Sequence, residues 1–212
     1  MPDSSSYVGA TADAYDAVAV LYTEFVAGIL DDAALDRATL AAFAELVRAS
    51  GNPAAVEVGC GPGHMTAHLR DLGLDAFGLD IAPAMIDIAR GAHPEIRFDL
   101  SSMDAVAVPD ASLGGVLSWY SLIHTPPAEL RPYLEEFHRV LAPGGLLLLG
   151  FFAADGPDPV PFDHRVAPAY RWSLDALAAR VTEAGFTEVE RSLREPAENE
   201  RHRQGRLLLR RT

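Results

Sequence analysis

The sequence predicts an α/β fold: a largely parallel sheet, doubly wound by helices on both faces and preceded by a helical cover. Three observations carry this. Short apolar runs alternate with segments of helical spacing. The final two runs are separated only by the polar stretch REPAENERHRQG. The first run ends in a glycine-rich bend, VEVGCGPG. Strand then helix, repeated, gives parallel neighbours, because each crossover returns the chain to the same end of the sheet.

Residues 11–30 and 33–50 place apolar side chains at helical spacing, with Asp31 and Asp32 as caps between them. Strand runs follow at 54–58, 75–79, 96–99, 113–119, 145–152, 186–190 and 206–210. Helical segments follow most of them, near 63–72, 83–91, 128–141 and 173–184. The last two runs, with no helix between them, are expected to pair as an antiparallel hairpin. The connection 153–171, AADGPDPVPFDHRVAPAYR, holds four prolines and exceeds an ordinary strand-to-helix link, so it is expected to cover something. The length fits a single domain over 1–212, with 1–50 as the helical cover and 51–212 as the core.

The chain carries 30 acidic residues against 17 basic ones, all arginine, for a net charge of −13. That balance opposes a non-specific grip on nucleic acid, which needs clustered cations to displace counterions. The one basic cluster, Arg201 to Arg211, is interrupted by three leucines and reads as an exposed turn and edge strand. No apolar run approaches the roughly 20 residues of a membrane helix. The polar, acidic first residues do not resemble a secretory signal. Cys60 is the sole cysteine, which rules out an internal disulfide and suits a reducing cytoplasm. A monomer and a homodimer are equally compatible with the sequence.

Gly59, Gly61 and Gly63 lie where a strand turns into a helix. Glycine there permits unusual dihedrals and lets a ligand press on the backbone amides. A helix N-terminus adds unpaired N–H groups that favour a carboxylate or phosphate. The next strand ends in Asp80, 17 residues after Gly63, where a carboxylate suits a ribose diol. Asp80 also reads as an N-cap for the helix that begins at Pro83. To this point a dinucleotide dehydrogenase is equally allowed.

The surrounding motifs decide. VEVGCGPG, GLDIAPAMIDIAR and EEFHRVLAPGGLLLLGF, in that order and spacing, resemble the class I S-adenosylmethionine-dependent methyltransferases, especially small bacterial single-domain ones. The resemblance covers about residues 50–190. It implies a Rossmann-like seven-stranded sheet with an antiparallel last strand and the cofactor at the C-terminal strand ends. Gly59, Cys60, Gly61 and Gly63 would then lie at the methionine half of S-adenosylmethionine, with Glu57 supporting the loop and the ammonium. Asp80 would take the ribose hydroxyls, and Ile81 would pack on the adenine. Many relatives carry an acidic residue at the tip of the third strand; this chain has Ser101-Ser102-Met103, so Ser102 and Met103 must serve, or Asp104 by a one-residue shift.

The segment LSWYSLIHTPP carries Trp119, Tyr120 and His124, and in the family it passes beside the sulfonium. Aromatic faces suit that cation, and both rings serve equally as core. In the N-terminal cover, Tyr15 and Tyr22 are seven residues apart and share a helix face, as cofactor-facing tyrosines or as packing. Methyl transfer is an in-line displacement with a good leaving group, so the protein mainly aligns the reactants and excludes water. A base is needed only where the nucleophile must lose a proton. His124 is the first candidate and His164 the second, since an imidazole titrates near neutrality.

His138 reads as structural, His64 as close to the cofactor and His68 as solvent-facing; the i, i+4 pair His64 and His68 lacks a third ligand, so no metal site is expected. Cys60 reads as a small packing residue. The expected acceptor is a small molecule bound under the helical cover and the 153–171 segment, near Phe151, Phe152, Phe162, Tyr170 and Trp172. Two alternatives remain. One is a cyclase or binding module that keeps the cofactor without transfer. The other is a nicotinamide dehydrogenase, against which stand the GxGxG loop and the Pro-Gly-Gly strand start.

Overall fold

A computed structural model describes residues 4–198 and 200–212. The N-terminal periodicity forms two helices, α1 (Ser4–Val26) and α2 (Ala34–Ala49). Leu40, Phe43, Ala44 and Val47 recur at intervals of three and four along α2 and are buried together. Asp31 and Asp32 do not cap it. The residue at the cap is Ala33, with no side-chain hydrogen bond, and the turn is held instead by the Arg37 guanidinium on the Leu30 and Asp31 carbonyls.

The alternation that follows yields β1 (Ala54–Val58), α3 (His64–Asp71), β2 (Asp75–Asp80), α4 (Pro83–Ala92), β3 (Phe98–Leu100), β4 (Leu113–Trp119), α5 (Leu130–Val140) and β5 (Leu141–Phe152). A short hairpin comes next, β6 (Val160–Asp163) and β7 (Pro168–Arg171), then α6 (Leu174–Glu183), β8 (Phe186–Arg194) and β9 (Gln204–Arg211). Seven strands form one sheet in the order β3-β2-β1-β4-β5-β9-β8. The neighbours from β3 to β5 are parallel, and β9 runs antiparallel to both β5 and β8.

This order corrects one expectation. The Arg201–Arg211 region holds an interior strand, and β8 is the edge. The antiparallel hairpin folds its second strand inward, so Leu207, Leu208 and Leu209 are buried against β5. Arg206, on the same strand, is buried as well. Its guanidinium is paired with Asp36 of α2 and lies 5.7 Å from the centre of the Trp119 ring.

Two cores flank the sheet. One packs α5 and α6 against β1, β4 and β5; α5 supplies Leu130, Tyr133, Leu134, Phe137 and Val140 at helical intervals. Full burial of each such side chain stabilises the fold by roughly 1.5–3 kcal/mol. The other core packs α2 and α3 through Leu40, Phe43, Val47 and Leu69 against Leu146, Leu148 and Leu208. The strand order reverses between β1 and β4, so the loops leaving these two strands diverge and open a crevice at their C-terminal ends.

The Arg206–Asp36 pair ties α2 to the sheet. Asp36→Asn leaves a buried guanidinium uncompensated, and we expect a loss of about 3 kcal/mol in the urea unfolding free energy. Asp175→Asn, which breaks an exposed pair with Arg191, is expected to cost less than about 1 kcal/mol in the same titration.

Candidate functional site

All three loop glycines adopt left-handed backbone, with φ of 72° at Gly59, 52° at Gly61 and 85° at Gly63. They do so for different neighbours. A Cβ at Gly59 would stand 2.3 Å from Cβ of Ser121, and one at Gly63 would stand 2.7 Å from the Phe98 ring. At Gly61 the nearest atom belongs to the Tyr22 ring, at an ordinary 3.8 Å. Gly59 and Gly63 are therefore demanded by the protein's own packing, while Gly61 lines the crevice beneath α1.

The loop amides are not bare. Gly59 and Cys60 both donate to the Leu79 carbonyl, at 2.8 and 2.9 Å, and Gly63 donates to the Cys60 carbonyl at 3.0 Å. The Gly61 amide donates to Oδ2 of Asp80 at 2.8 Å. The other Asp80 oxygen accepts from the Ala82 amide at 2.9 Å, so Asp80 binds the bends on both sides of it. It does not cap α4. Asp16 of α1 does that, accepting from the Ala84 amide at 2.8 Å.

Glu57 is buried one strand away and accepts from the Thr66 hydroxyl. Burial pushes its carboxyl up to about 8, against the Thr66 hydrogen bonds, with the Asp80 charge adding to the rise. Asp80 is raised as well, chiefly by burial and in part by Asp16, although three backbone amides oppose this. Above them stand Tyr15 and Tyr22, edge to face with ring centres 5.4 Å apart. Burial, with Asp80 and Glu57 below, pushes Tyr22 up to about 12; Tyr15 is raised by burial, Tyr22 and Asp80. The Cys60 thiol is driven up by burial, Glu57 and Asp80, so it is no thiolate. The charges acting on Glu57, Asp80 and both tyrosines are all acidic.

At the end of β4 the chain turns sharply. Tyr120 takes a left-handed φ of 56°, and the Ser121 hydroxyl donates to the Val58 carbonyl at 2.6 Å, joining the ends of β1 and β4. Trp119 packs with the α2 core and Arg206 and stands edge-on to Tyr120, ring centres 5.4 Å apart. Tyr120 lies over Phe152, ring centres 4.9 Å apart, and its hydroxyl donates to the buried Gln204. His124 is buried between α1 and the β6–β7 hairpin. Its Nδ1 is 2.9 Å from the Pro168 carbonyl and its Nε2 is 2.8 Å from the Tyr15 hydroxyl. A carbonyl only accepts, so Nδ1 carries the proton and Nε2 accepts from Tyr15. Burial lowers this imidazole to about 4. His164 stands edge-on to it, ring centres 5.0 Å apart.

The remaining expected residues lie around this line. Ile81 is half-buried beside Asp80, and Ser102 and Met103 are half-buried after β3, with the Ser101 amide held by the Asp80 carbonyl at 3.0 Å. Phe151 and Trp172 belong to the main core, whereas Phe152, Phe162 and Tyr170 are half-buried against it. His138 packs on Phe186. His64 is lowered to about 4 by burial, and its Nδ1 has no protein partner. His68 is half-buried rather than solvent-facing, with its Nε2 enclosed. Among the described residues no group of three His, Cys, Asp or Glu is placed to hold a metal ion, and no helix is long and apolar enough to cross a membrane.

Sequence reasoning missed Asp16, Ser121 and Gln204, and the carbonyl of Pro168. Asp16 adjoins Tyr15, so the tyrosine spacing marked its neighbourhood; the other three are joined to the site by pairings distant in sequence.

The raised Glu57 carboxyl makes stability fall with pH. Both states are protonated below the ordinary value of 4.5; the unfolded chain ionises first, and the folded one only near 8. Between these limits the folded state loses ground, in total by ~5 kcal/mol as an order of magnitude. Glu57→Gln is expected to flatten the decline in urea midpoint between pH 5 and pH 8. An unchanged slope in the variant would show that Glu57 ionises normally.

Residues 55–145 match a family model described as a methyltransferase domain. The chain is 32% identical to a malonyl-[acyl-carrier protein] O-methyltransferase of Serratia marcescens over 47% of its length and 38% of that protein's. It is 30% identical to a 2-heptyl-1-hydroxyquinolin-4(1H)-one methyltransferase of Mycobacteroides abscessus, over 58% of its own length and 60% of the relative's. It thus spans less than two thirds of the length of either relative. The crystal structure of Burkholderia thailandensis 1,6-didemethyltoxoflavin-N1-methyltransferase, with 1,6-didemethyltoxoflavin and S-adenosylhomocysteine bound, superposes with a TM-score of 0.67 at 25% identity, covering 93% of this chain and 90% of that one. Residues 55–145 thus match a methyltransferase domain, and the sheet order, with the glycine bend at its switch point, makes the chain similar to the class I S-adenosylmethionine-dependent methyltransferases.

Proposed function

We propose that the protein transfers a methyl group from S-adenosylmethionine to an O, N or C nucleophile of a small molecule. One observation carries this reading: Glu57, Asp80, Tyr15 and Tyr22 converge at the switch point, desolvated, with only acidic charges acting on them. Desolvated acids without a cation suit a ligand that brings one. S-adenosylmethionine brings an ammonium and a sulfonium, whereas the diphosphate of a nicotinamide cofactor would be repelled.

In this reading Glu57 supports the ammonium and Asp80 takes the ribose hydroxyls, while Ile81, Ser102 and Met103 border the adenine. Gly59, Cys60, Gly61 and Gly63 shape the wall, with Gly61 the point of closest approach, since a Cβ there would intrude on the crevice. Tyr15 and Tyr22 form a roof that keeps water out, and Tyr120 borders the acceptor side. S-adenosylmethionine, when bound, supplies a methyl group on a good leaving group. Alignment and dryness are then the protein's main contributions.

A proton moves only if the acceptor must lose one. The basic nitrogen of His124 faces Tyr15 rather than open space, so Tyr15 is the group that meets an acceptor. Its oxygen takes the acceptor's proton as its own proton passes to Nε2, and the Pro168 carbonyl holds Nδ1–H throughout. His164 fixes the far side of the ring.

Calorimetry tests the cofactor assignment. S-adenosylhomocysteine is expected to bind in the micromolar range and NAD not at all, and Asp80→Ala is expected to weaken the former by about 1–3 kcal/mol. Equal heats from both ligands, or none from S-adenosylhomocysteine, would overturn it. For a protonated acceptor, Tyr15→Phe is expected to lower kcat by on the order of 100-fold while sparing S-adenosylhomocysteine affinity. A parallel loss of both would reduce Tyr15 to packing.

A further inference from the structure

Beyond His124 the β6–β7 hairpin packs a cluster of half-buried rings, which on the proposed reading borders the mouth of the site. Phe152 is at its centre, with Phe162 at 5.4 Å, His164 at 5.9 Å and His202 at 6.0 Å between ring centres. The polar atoms here are under-used. Nδ1 of His164, Nε2 of His202 and Nε of Arg171 are buried with no protein partner. Such groups are costly to leave unmatched in a folded core.

Two arginines also stand here, although the chain carries −13 overall. Arg171 lies 5.9 Å from the Phe162 ring centre and 3.4 Å from Nδ1 of His202. Arg201 donates to the backbone carbonyl of Asp163 at 3.2 Å. Among the described residues neither guanidinium meets a carboxylate, and the acids nearby are engaged elsewhere. Asp163 accepts from the Arg165 amide at 2.8 Å, Glu200 pairs with Arg194 at 2.6 Å, and Asp155 pairs with Arg203 at 2.5 Å. An exposed surface arginine without a partner is unremarkable. Here exposed Arg201 stands with half-buried Arg171, which lies on an aromatic face beside two imidazoles with unmatched nitrogens, and together they form a recognition element.

We infer that the methyl acceptor is a planar molecule bearing a carboxylate or a comparably acidic oxygen, its ring against Phe152 and Phe162 and its anionic group on Arg171 and Arg201. His164 and His202 supply neutral hydrogen-bonding partners at its edge. This rests on the methyl-transfer reading for the word acceptor, but the anion site itself does not.

The probes are 1-hydroxy-2-naphthoate and its neutral carboxamide, titrated by fluorescence into the full chain with and without saturating S-adenosylhomocysteine. The acid is expected to bind at least about tenfold more tightly than the amide, as charge-assisted hydrogen bonds require. The double variant Arg171→Gln, Arg201→Gln is expected to lose that preference while binding S-adenosylhomocysteine as the parent does. The inference falls if the amide binds as well as the acid, if neither binds, or if the preference survives in the double variant. Failure of S-adenosylhomocysteine to bind, with the acid preference and its loss both observed, would sink the methyl-transfer reading and leave the anion site standing.

Discussion

Two carboxyl groups at the tips of neighbouring parallel strands, Glu57 buried and Asp80 half-buried, with no ion pair to either among the described residues, set the terms for the rest of this molecule. Glu57 and Asp80 are held there by covalent and hydrogen-bonded geometry. Thr66 is turned onto the first, and the amides of Gly61 and Ala82 onto the second. Burying acids at close quarters opposes folding. The fold tolerates the arrangement because both Asp80 oxygens and one Glu57 oxygen are hydrogen-bonded and because Glu57 can stay protonated. Such a site is poised: a cation entering the crevice would relieve both acids at once, and its binding would be coupled to release of the Glu57 proton.

The N-terminal helix completes the site and depends on it. Ala19 packs with Ala82 and Met85, Asp16 caps α4, and Tyr15 reaches across to His124. One face of α1 is thereby committed to the strand tips, while Val20, Leu21 and Phe25 on other faces remain exposed. The docking is local, through a cap, a tyrosine pair and a small-residue contact, rather than through a broad apolar face. A cover attached in this way can be lifted at modest cost, which a deep cofactor crevice requires.

How much of this was legible depended on whether the signal was local. β1 and β4 match their apolar runs to the residue, because polar residues and glycines bound both. β5 begins four residues early, because Leu141 pairs with Leu113 before a bulge, a contact no run of leucines announces. The β6–β7 hairpin was hidden by its prolines, which read as loop. A two-stranded ribbon tolerates proline wherever the missing N–H would face outward. In the site, Gly59, Asp80 and His124 stood out by motif, yet the amides expected to be bare are occupied and two glycines are fixed by Ser121 and Phe98. Those reasons lie in strands that meet only after folding.

The distribution of charge bears on turnover as well as on binding. On the proposed reading, the crevice holds a cationic donor among acids and the mouth holds an anionic acceptor among arginines and imidazoles. Transfer removes the positive charge at sulfur, so the acidic crevice loses its strongest attraction when the reaction is over. A site complementary to separated charges holds the reactants more firmly than the neutral sulfur product, so the loss of charge favours release once the cover lifts.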